Sequence, residues 1–339
     1  MSLQQLPPLR LGILGAARIA PMALVTPARR VPEATVLAVA ARDPERARRF
    51  AARHGIPRVH PSYEALLGDP EVEAVYNPLP NALHARWTIR ALEAGKHVLC
   101  EKPLAASVVE AEAMAEAARR AGRVLVEAFH YRYHPLFARL RGILDAGEIG
   151  AVQHLEAHLC FPLPFPNDIR YRADLAGGAL MDAGCYTVHL LRHLAGAEPE
   201  VVEARSWWTR GGVDRCTEAR LRFPDGRTAR LTCSLFSAWL LRASARIEGN
   251  AGRIGVVNPI APQFFHRLRV VSPAGMRVER VAGPPTYECQ LRAFVAAVRQ
   301  GTKVPTDPAD AIANMRVIER IYAAAGRPAV PVTQQRASA

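Results

Sequence analysis

Apolar and polar positions follow two different patterns along this chain, and the first pattern covers residues 1–128. Five short apolar runs predict strands: LRLGILG (9–15), ATVLAVAA (34–41), EAVYNP (73–78), KHVLCE (96–101) and RVLVEA (123–128). Between them, DPERARRFAARHG, HARWTIRALEAG and SVVEAEAMAEAARRAG have helical patterns that end at glycine. Strands and helices that alternate at this spacing predict βαβ units and an α/β domain with a doubly wound parallel sheet.

The second pattern begins at about residue 129 and is richer in strands. A helix near 134–146 precedes the long predicted strand IGAVQHLEAHLCF, and ALMDAGCYTVHLLRHL has a helical pattern after a Gly-Gly pair. Residues 200–282 are rich in strand patterns, including the hairpin EARLRFPDGRTARLTCSL with its Pro-Asp-Gly turn. Two helices are predicted near 286–300 and 308–325. We therefore expect a second, α+β domain with a large, mostly antiparallel open sheet.

The predicted domain boundaries follow from this change of pattern. The pattern predicts a first domain over residues 1–128, a second domain over residues 129–330 and a loose tail over residues 331–339. A length of 339 residues is typical of two domains.

A glycine-rich turn follows the first predicted strand. Its fingerprint is Gly15-x-Ala17-x-x-Ala20, in which small residues permit a sharp turn and a close approach of the backbone to a pyrophosphate. The expected contacts to the dinucleotide are Gly15, Ala16, Ala17, Arg18 and Ile19. A plain structural turn is the alternative.

The end of the second strand bears on the choice of cofactor. The strand ends Ala40-Ala41-Arg42-Asp43, and Asp43 has the position of a helix N-cap. Arg42 is then left to bind a 2′-phosphate through its planar set of donors. The sequence therefore favours NADP over NAD.

Composition excludes several classes of protein. Hydrophobic residues make up 50% and charged residues 22%, which is typical of a soluble globular protein. We find no apolar run of about 18 residues and no secretory signal, so we expect no membrane partner. The six cysteines are irregularly spaced, which indicates reduced thiols in a cytoplasm.

The formal net charge of +13 raises the possibility of a nucleic-acid partner, but the arginines are scattered, so we expect none. Of the 44 basic residues only three are lysines: Lys96, Lys102 and Lys303. Lys102 lies within Glu101-Lys102-Pro103, directly after a parallel strand, where open α/β sheets bind their ligands.

Several segments together resemble one family. They are GILGAARIA, PLPNALHARW, HVLCEKPLA, EAFHYRYHP, GGALMDAGCY and the closing pattern YECQLRAFVAAVRQG…DAIANMRVIERIY. In this order they resemble the glucose–fructose oxidoreductase/inositol dehydrogenase (Gfo/Idh/MocA) family, in the branch with dimeric dihydrodiol dehydrogenases and NADP-linked aldose dehydrogenases. The resemblance covers about residues 9 to 325. It implies a Rossmann domain, a second domain whose open sheet is often an oligomer interface, and a homodimer or homotetramer.

The resemblance also implies catalytic residues. Lys102 matches the family's active-site lysine, and the family's Asp-x-x-x-His pattern here ends in tyrosine, from Asp182 to Tyr186. In the branch that oxidises sugars and dihydrodiols, this tyrosine is implied as the acid/base. A lysine ammonium nearby would lower the pKa of a phenol, which is ordinarily about 10. Asp182 is expected to orient the substrate. A purely structural role for Asp182 and simple packing for Tyr186 are the alternatives.

Further site residues are implied by their positions in the family pattern. The residues expected beside the cofactor are Pro78, Asn81, His84, Glu101 and Lys102. Helix capping is the alternative for Asn81 and His84. The candidate substrate ligands are Arg132, Arg170, Tyr171 and Tyr287. No metal is expected, because the spacing His130–His134 lacks a third ligand and Asp182 lies too far along the helix from His189 and His193.

The sequence thus predicts an NADP-dependent oxidoreductase that transfers a hydride to or from a secondary alcohol, hemiacetal or ketone of a sugar-like substrate. A trans-dihydrodiol dehydrogenase and a nucleotide-ketosugar reductase are alternatives with the same chemistry. A catalytically silent NADP-binding sensor or co-regulator is the alternative of another class.

Overall fold

The computed structural model describes residues 6–238 and 240–326, so the predicted tail 331–339 lies outside the described residues. The chain divides into two compact units. One unit comprises the chain up to Ala105 together with Val109–Tyr133 and Pro284–Ala311. The other comprises Ala106–Val108, His134–Gly283 and the chain from Ile312 onward.

The first unit contains a parallel sheet of six strands, which confirms the predicted doubly wound domain. The strands are β1 (Leu9–Leu14), β2 (Ala34–Ala40), β3 (Arg58–His60), β4 (Ala74–Asn77), β5 (His97–Cys100) and β6 (Leu125–Glu127). Their order is β3-β2-β1-β4-β5-β6. The sequential order of the parallel strands reverses between β1 and β4, as in dinucleotide-binding folds. The sequence did not predict β3, because three half-buried residues are too few to show a periodic pattern.

The helices of the described residues largely match the helical patterns. They are α1 (Thr26–Ala28), α2 (Pro44–His54), α3 (Tyr63–Leu67), α4 (Asn81–Glu93), α5 (Val108–Ala121), α6 (Pro135–Asp145), α7 (Cys185–Ala195), α8 (Thr286–Gln300) and α9 (Pro308–Ala324). Short 3-10 turns lie at His130–Tyr133, Ile169–Tyr171 and Ala173–Leu175, and π-helical turns at Pro21–Val25 and Leu180–Gly184. The predicted cap is confirmed, because Asp43 accepts hydrogen bonds from the backbone of Glu45 and Arg46 at the start of α2.

Helix α8 belongs to the first unit although it follows the second sheet in the sequence. Its residues Leu291 and Phe294 are buried in one cluster with Leu11, Ile13 and Tyr76 of the parallel sheet. The sequence pattern placed residues 129–330 in a single domain, whereas residues 284–311 lie in the first unit. An amphipathic pattern shows that a helix has an apolar face, but not which sheet covers that face.

The second unit contains a sheet of eight strands. The strands are β7 (Val152–Cys160), β8 (Glu200–Trp208), β9 (Asp214–Arg222), β10 (Thr228–Ser234), β11 (Arg242–Gly249), β12 (Arg253–Val257), β13 (Arg267–Ser272) and β14 (Gly275–Glu279). Their order is β14-β13-β12-β11-β7-β10-β9-β8. Strands β7 and β10 pair in parallel and the other neighbouring strands pair antiparallel, so the predicted, mostly antiparallel sheet is confirmed.

The two faces of this sheet differ in polarity. One face carries buried apolar side chains such as Leu155 and Leu231, and α7 packs against β7 and β10. On the other face, Glu156 lies in register with Arg230 of β10 and Arg246 of β11. That face is therefore covered by charged side chains.

Lys96, one of the three lysines, has a structural role. Its ammonium is buried and donates to the backbone oxygens of Asp69 and Val72, both at 2.7 Å. We expect Lys96→Met to lower the free energy of unfolding by about 2–3 kcal/mol, because two carbonyls lose a charged donor. Urea unfolding measures this loss, with the exposed Lys303→Met as a matched control. A loss below about 0.5 kcal/mol, the range of ordinary surface substitutions, contradicts the prediction.

Among residues 6–238 and 240–326, no helix is both long enough and apolar enough to cross a membrane.

Candidate active site

The glycine-rich turn lies at the carboxyl end of β1, beside the point where the strand order reverses. Gly15 has a φ of +92°, a backbone conformation that favours glycine, and a Cβ there would lie 2.9 Å from Leu79 Cδ2. Ala16 is buried, Ala17 and Ile19 are half-buried, and Arg18 is exposed. A helical segment begins at Ala20 and includes the π-helical turn Pro21–Val25. The residues present thus fit a pyrophosphate at a helix N-terminus.

Two arginines accompany this turn. Arg42 and Arg46 are exposed at and after the end of β2, and Arg46 Nη2 donates to the carbonyl oxygen of Ala16 at 2.9 Å. Burial raises the pKa of Tyr63, while a hydrogen bond to the Arg42 backbone and the charges of both arginines lower it. A Cβ on Gly15 would lie 3.7 Å from the Tyr63 hydroxyl. The Arg46 guanidinium therefore lies at the turn, and the charge of Arg42 acts on Tyr63 beside it.

The loop after β4 is fixed by buried polar side chains. Asn77 donates to Thr88 Oγ1 at 3.0 Å and to the backbone oxygen of His84 at 3.3 Å. The ring nitrogens of His84 lie 2.9 Å from the Pro103 oxygen and 2.7 Å from the Leu79 oxygen. Burial lowers the pKa of His84, and the hydrogen bonds to the carbonyl oxygens of Pro103 and Leu79 oppose this shift.

These contacts give His84 a bracing role between the loop after β4 and the Lys102-Pro103 turn. Its predicted contact with the cofactor stays a prediction. Pro80, not Asn81, has the N-cap position of α4. The proposed roles of Asn81 stay predictions. Pro78 is buried in the same loop.

Lys102 follows β5 at the carboxyl edge of the parallel sheet, as predicted from the sequence. Its side chain is half-buried and the peptide bond to Pro103 is cis. Glu101 beside it accepts a hydrogen bond from the buried Tyr76 hydroxyl at 2.7 Å and one from the Lys102 backbone at 3.3 Å. A cation is thus presented at the ligand-binding edge of the sheet on a turn whose neighbouring side chains are fixed.

A second buried group lies within reach of the Lys102 charge. Burial and that charge lower the pKa of His130 to about 3, and His130 Nδ1 lies 2.8 Å from Thr286 Oγ1. The His130 ring packs against the Tyr287 ring with centroids 4.1 Å apart. Burial raises the pKa of Tyr287 strongly, and the charge of Glu101 adds to this effect. Arg132 lies half-buried in the same 3-10 turn as His130. Two candidate substrate ligands, Arg132 and Tyr287, thus belong to the unit that holds Lys102.

The histidines 130 and 134 have separate structural partners. His134 belongs to the second unit, where its Nδ1 accepts a hydrogen bond from Leu136 N at 3.1 Å and caps α6. His130 contacts Thr286 instead. These partners account for the His-x-x-x-His spacing without a metal ion.

In the second unit, Asp182 and Tyr186 lie on consecutive turns of one helical segment. The sequence predicted a single α-helix, but Asp182 lies in the π-helical turn Leu180–Gly184 and Tyr186 in the first turn of α7. The side chain of Asp182 is 17% exposed, and Tyr186 is 7% exposed. Single π turns inside helices are frequent at functional sites.

Arg170 and Tyr171 both stabilise the segment that leads to this helix. Arg170 Nε donates to Asp182 Oδ2 at 2.8 Å, and its Nη1 donates to Asp168 Oδ1 at 3.0 Å. The Tyr171 hydroxyl lies 2.9 Å from the Leu163 oxygen and 3.1 Å from the Leu235 oxygen. The structure therefore joins two of the predicted residues, Arg170 and Asp182, in an ion pair.

The start of the Asp182 segment is held by a buried carboxylate that the sequence did not single out. Asp214 accepts hydrogen bonds from Leu180 N, Thr217 Oγ1 and the Tyr322 hydroxyl, each at 2.8 Å. Burial raises the pKa of Asp214, and these bonds oppose the rise. Gly178 has a φ of +129°, and a Cβ there would lie 2.2 Å from Asp214 Oδ1. Gly178 is thus required for close packing against this carboxylate.

Two family models match the chain in succession. The first model, described as "Oxidoreductase family, NAD-binding Rossmann fold", matches residues 9–129. The second, described as "GFO/IDH/MocA C-terminal domain", matches residues 137–255. The chain belongs to the GFO/IDH/MocA oxidoreductase family. The resemblance seen in the sequence is thereby confirmed.

Members of the family similar to this chain include sugar enzymes. The NADP(+)-dependent D-xylose 1-dehydrogenase 2 of Haloferax volcanii is 38% identical to this chain. The match covers 93% of this chain and 96% of that relative. The dTDP-3,4-didehydro-2,6-dideoxy-alpha-D-glucose 3-reductase of Streptomyces violaceoruber is 37% identical, with 93% of this chain and 94% of the relative covered.

A solved structure of the same family covers nearly the whole fold. The 3-ketoreductase of Actinomadura kijaniata, in complex with NADP and TDP-benzene, has a TM-score of 0.88 and 32% identity over 94% of this chain and 98% of that one. Its structures include variants in which a tyrosine was replaced by phenylalanine or a lysine by alanine or glutamate.

Sequence reasoning missed three residues near these oxidoreductase motifs. Arg46 had a readable signal, because it stands four positions after Arg42, in the first turn of the helix that Asp43 caps. Tyr63 and Asp214 had none, because each reaches its site only through tertiary contacts.

Proposed function

We propose that this protein is an NADP-dependent oxidoreductase that transfers a hydride between the cofactor and a secondary alcohol, hemiacetal or ketone of a sugar-like substrate. Its similarity over nearly its full length to an NADP-linked xylose dehydrogenase and to a ketosugar reductase carries the proposal. The chain also has the lysine after β5 and the Asp182–Tyr186 pair that the resemblance implies. These residues favour an enzyme over a silent sensor.

The proposed cofactor is NADP because the end of β2 offers cations to an adenosine ribose. The carboxylate of Asp43 caps α2, while Arg42 and Arg46 present exposed guanidinium groups. A 2′-phosphate gains charge-assisted hydrogen bonds from such groups, whereas a 2′-hydroxyl gains little. When bound, NADP supplies the hydride acceptor. Ala16, Ala17, Arg18 and Ile19 would hold its pyrophosphate, and Pro78, Asn81, His84 and Glu101 complete the proposed cofactor-binding set.

We expect Arg42→Ala to raise the KM for NADP about 10- to 100-fold and to leave the KM for NAD within about threefold, because one charged phosphate contact is lost. Arg46→Ala should act in the same direction. Steady-state rates with each cofactor measure the ratio of the KM for NADP to the KM for NAD. The exposed Arg48→Ala on α2 is the control. A wild-type preference for NAD that persists in Arg42→Ala would contradict the assignment of NADP as the cofactor.

The proposed chemistry uses the residues of this chain for proton transfer and orientation. Tyr186 takes the hydroxyl proton during oxidation and returns it during reduction. The Lys102 ammonium hydrogen-bonds the reacting oxygen and stabilises the phenolate form of Tyr186. Asp182 orients the substrate. Arg132, Arg170, Tyr171 and Tyr287 are the proposed substrate-binding residues.

A substrate panel tests the function. Purified protein is incubated with NADP+ and D-xylose, D-glucose, other aldoses, polyols or a trans-dihydrodiol, and NADPH formation is followed by absorbance. The reverse reaction uses NADPH and a nucleotide-linked ketosugar. We expect turnover with at least one sugar. Tight NADPH binding without any turnover would support the sensor instead.

Assembly and location belong to the same proposal. The resemblance to a family whose open sheet is often an oligomer interface supports a homodimer or homotetramer, which light scattering distinguishes. A small sugar-like molecule is the proposed partner, with no nucleic acid and no membrane. Six free cysteines support a reducing cytoplasm.

A further inference from the structure

Arg170 lies between two carboxylates of the second unit. Its Nε donates to Asp182 Oδ2 at 2.8 Å and its Nη1 to Asp168 Oδ1 at 3.0 Å. The two carboxylates differ in exposure, because the Asp168 side chain is 1% exposed and the Asp182 side chain 17%. The arginine therefore joins a carboxylate that solvent does not reach to one that solvent reaches.

Asp168 itself is held in a single position. Its Oδ1 also accepts a hydrogen bond from the backbone N–H of Arg170 at 3.1 Å, as the N-cap of the 3-10 turn Ile169–Tyr171. One carboxylate oxygen thus binds both the backbone and the guanidinium of the same residue. A buried ionised carboxylate is retained only where charged partners compensate for its lost hydration, and Arg170 is such a partner.

The backbone of Arg170 is tied to the same helical segment as its side chain. Its carbonyl oxygen accepts a hydrogen bond from Gly178 N at 2.8 Å, two residues before the π-helical turn that carries Asp182 begins. A Cβ on Gly177 would lie 2.5 Å from this oxygen. Backbone and side chain of Arg170 therefore both fix the geometry around Asp182.

We propose that Asp168 is a positioning residue, which holds the Arg170 guanidinium so that Arg170 keeps the Asp182 carboxylate in one ionised orientation. This inference rests on the proposed function, in which Asp182 orients the substrate. Without Asp168, the Arg170 guanidinium can rotate toward solvent. Asp182 then loses the hydrogen bond that Arg170 Nε donates to it. Asp168 acts through Arg170.

A similar pair two residues later provides a matched control. Arg172 Nε donates to Asp174 Oδ1 at 3.0 Å, and both side chains are more than half exposed. An exposed pair of this kind contributes little and orients nothing. Asp174→Asn removes the same charge from the same segment and leaves Asp182 untouched.

The test compares Asp168→Asn and Asp174→Asn in the wild-type and Asp182→Asn backgrounds, with NADP+ and the panel sugar that the wild type oxidises fastest. We expect Asp168→Asn to lower kcat about 10- to 100-fold, the loss found for a group displaced by about 1 Å. The KM for NADP should stay within about twofold, as should the kcat of Asp174→Asn. In the Asp182→Asn background, Asp168→Asn should cause no further loss, because residues that act as one unit are not additive.

Several outcomes overturn the proposal. They are wild-type kcat in Asp168→Asn, an equal loss in Asp174→Asn, or an additive loss in the double variant. If Asp168→Asn does not fold, Asp168→Glu takes its place, since the longer side chain keeps the charge but moves the carboxylate relative to Arg170 Nη1.

A crystal structure of Asp168→Asn tests, independently of turnover, whether Asp168 positions Arg170. Movement of Arg170 Nε out of hydrogen-bond distance from Asp182 supports the proposal, and an unchanged contact overturns it. If the wild type turns over nothing on the panel in either direction, the proposed function fails, and this structure still decides whether Asp168 positions Arg170.

Discussion

Lys102→Arg is expected to retain NADPH binding within about threefold and to lower kcat about 100-fold or more, the usual size of a lost charge-stabilising donor. A compact, rotatable ammonium can serve the substrate oxygen and the Tyr186 phenolate together, whereas a guanidinium is planar and bulky. The surroundings of Lys102 leave little freedom, because it lies half-buried between Glu101 and the buried Pro103. Fluorescence titration with NADPH and steady-state rates with the best panel sugar measure the two quantities.

The control for this prediction is Lys303→Arg, which makes the same change at an exposed position. It should leave kcat within about twofold, as substitutions away from the site do. Turnover near that of the wild type in Lys102→Arg would show that the positive charge alone is enough. The lysine would then be an accident of composition.

Tyr186→Phe is expected to lower kcat about 10²- to 10⁴-fold, the range for loss of a positioned general acid or base. The ring is 7% exposed, and phenylalanine fills the same space, so the fold and NADPH binding should be retained. The pH–rate profile should also lose the ionisation that belongs to the acid/base. Rates from about pH 5 to 10 and the midpoint of thermal unfolding are measured on the same samples.

Tyr133→Phe is the matched control for Tyr186→Phe. It removes the hydroxyl that lies 2.6 Å from Thr306 Oγ1, a contact within the first unit. It should lower stability by about 1 kcal/mol, the usual value of one hydrogen bond, with little effect on kcat. If Tyr186→Phe keeps more than a tenth of the wild-type kcat, Tyr186 is a packed side chain, and the proton acceptor must be sought elsewhere.

Local features of the sequence predicted much of the fold and part of the candidate site. The α2 cap at Asp43, the hairpin between β9 and β10 and the bounds of α8 follow from short-range chemistry: a capping carboxylate, a Pro-Asp-Gly turn and an apolar stripe. The position of Lys102 follows as well, because a residue after a parallel strand lies at the ligand-binding edge of the sheet.

Other predictions needed information that no local pattern contains. His84 stood in the sequence as a possible cofactor contact, and only the fold shows its ring between the carbonyl oxygens of Leu79 and Pro103. The same holds for Arg170, whose partner Asp182 lies twelve positions away. Side chains with several possible partners are assigned by the tertiary structure, since each partner is set by chain segments that approach one another only on folding.

The sequence by itself determined the two kinds of sheet, the family and the lysine, aspartate and tyrosine proposed for the chemistry. These are properties of short segments and their order, and neither needs long-range geometry. Tertiary structure alone decided that α8 packs with the parallel sheet, that Arg46 and Tyr63 join the glycine-rich turn, and that Arg170 lies between the carboxylates of Asp168 and Asp182. The physical reason is that burial and ion pairing depend on distances between residues remote in sequence, and folding sets those distances.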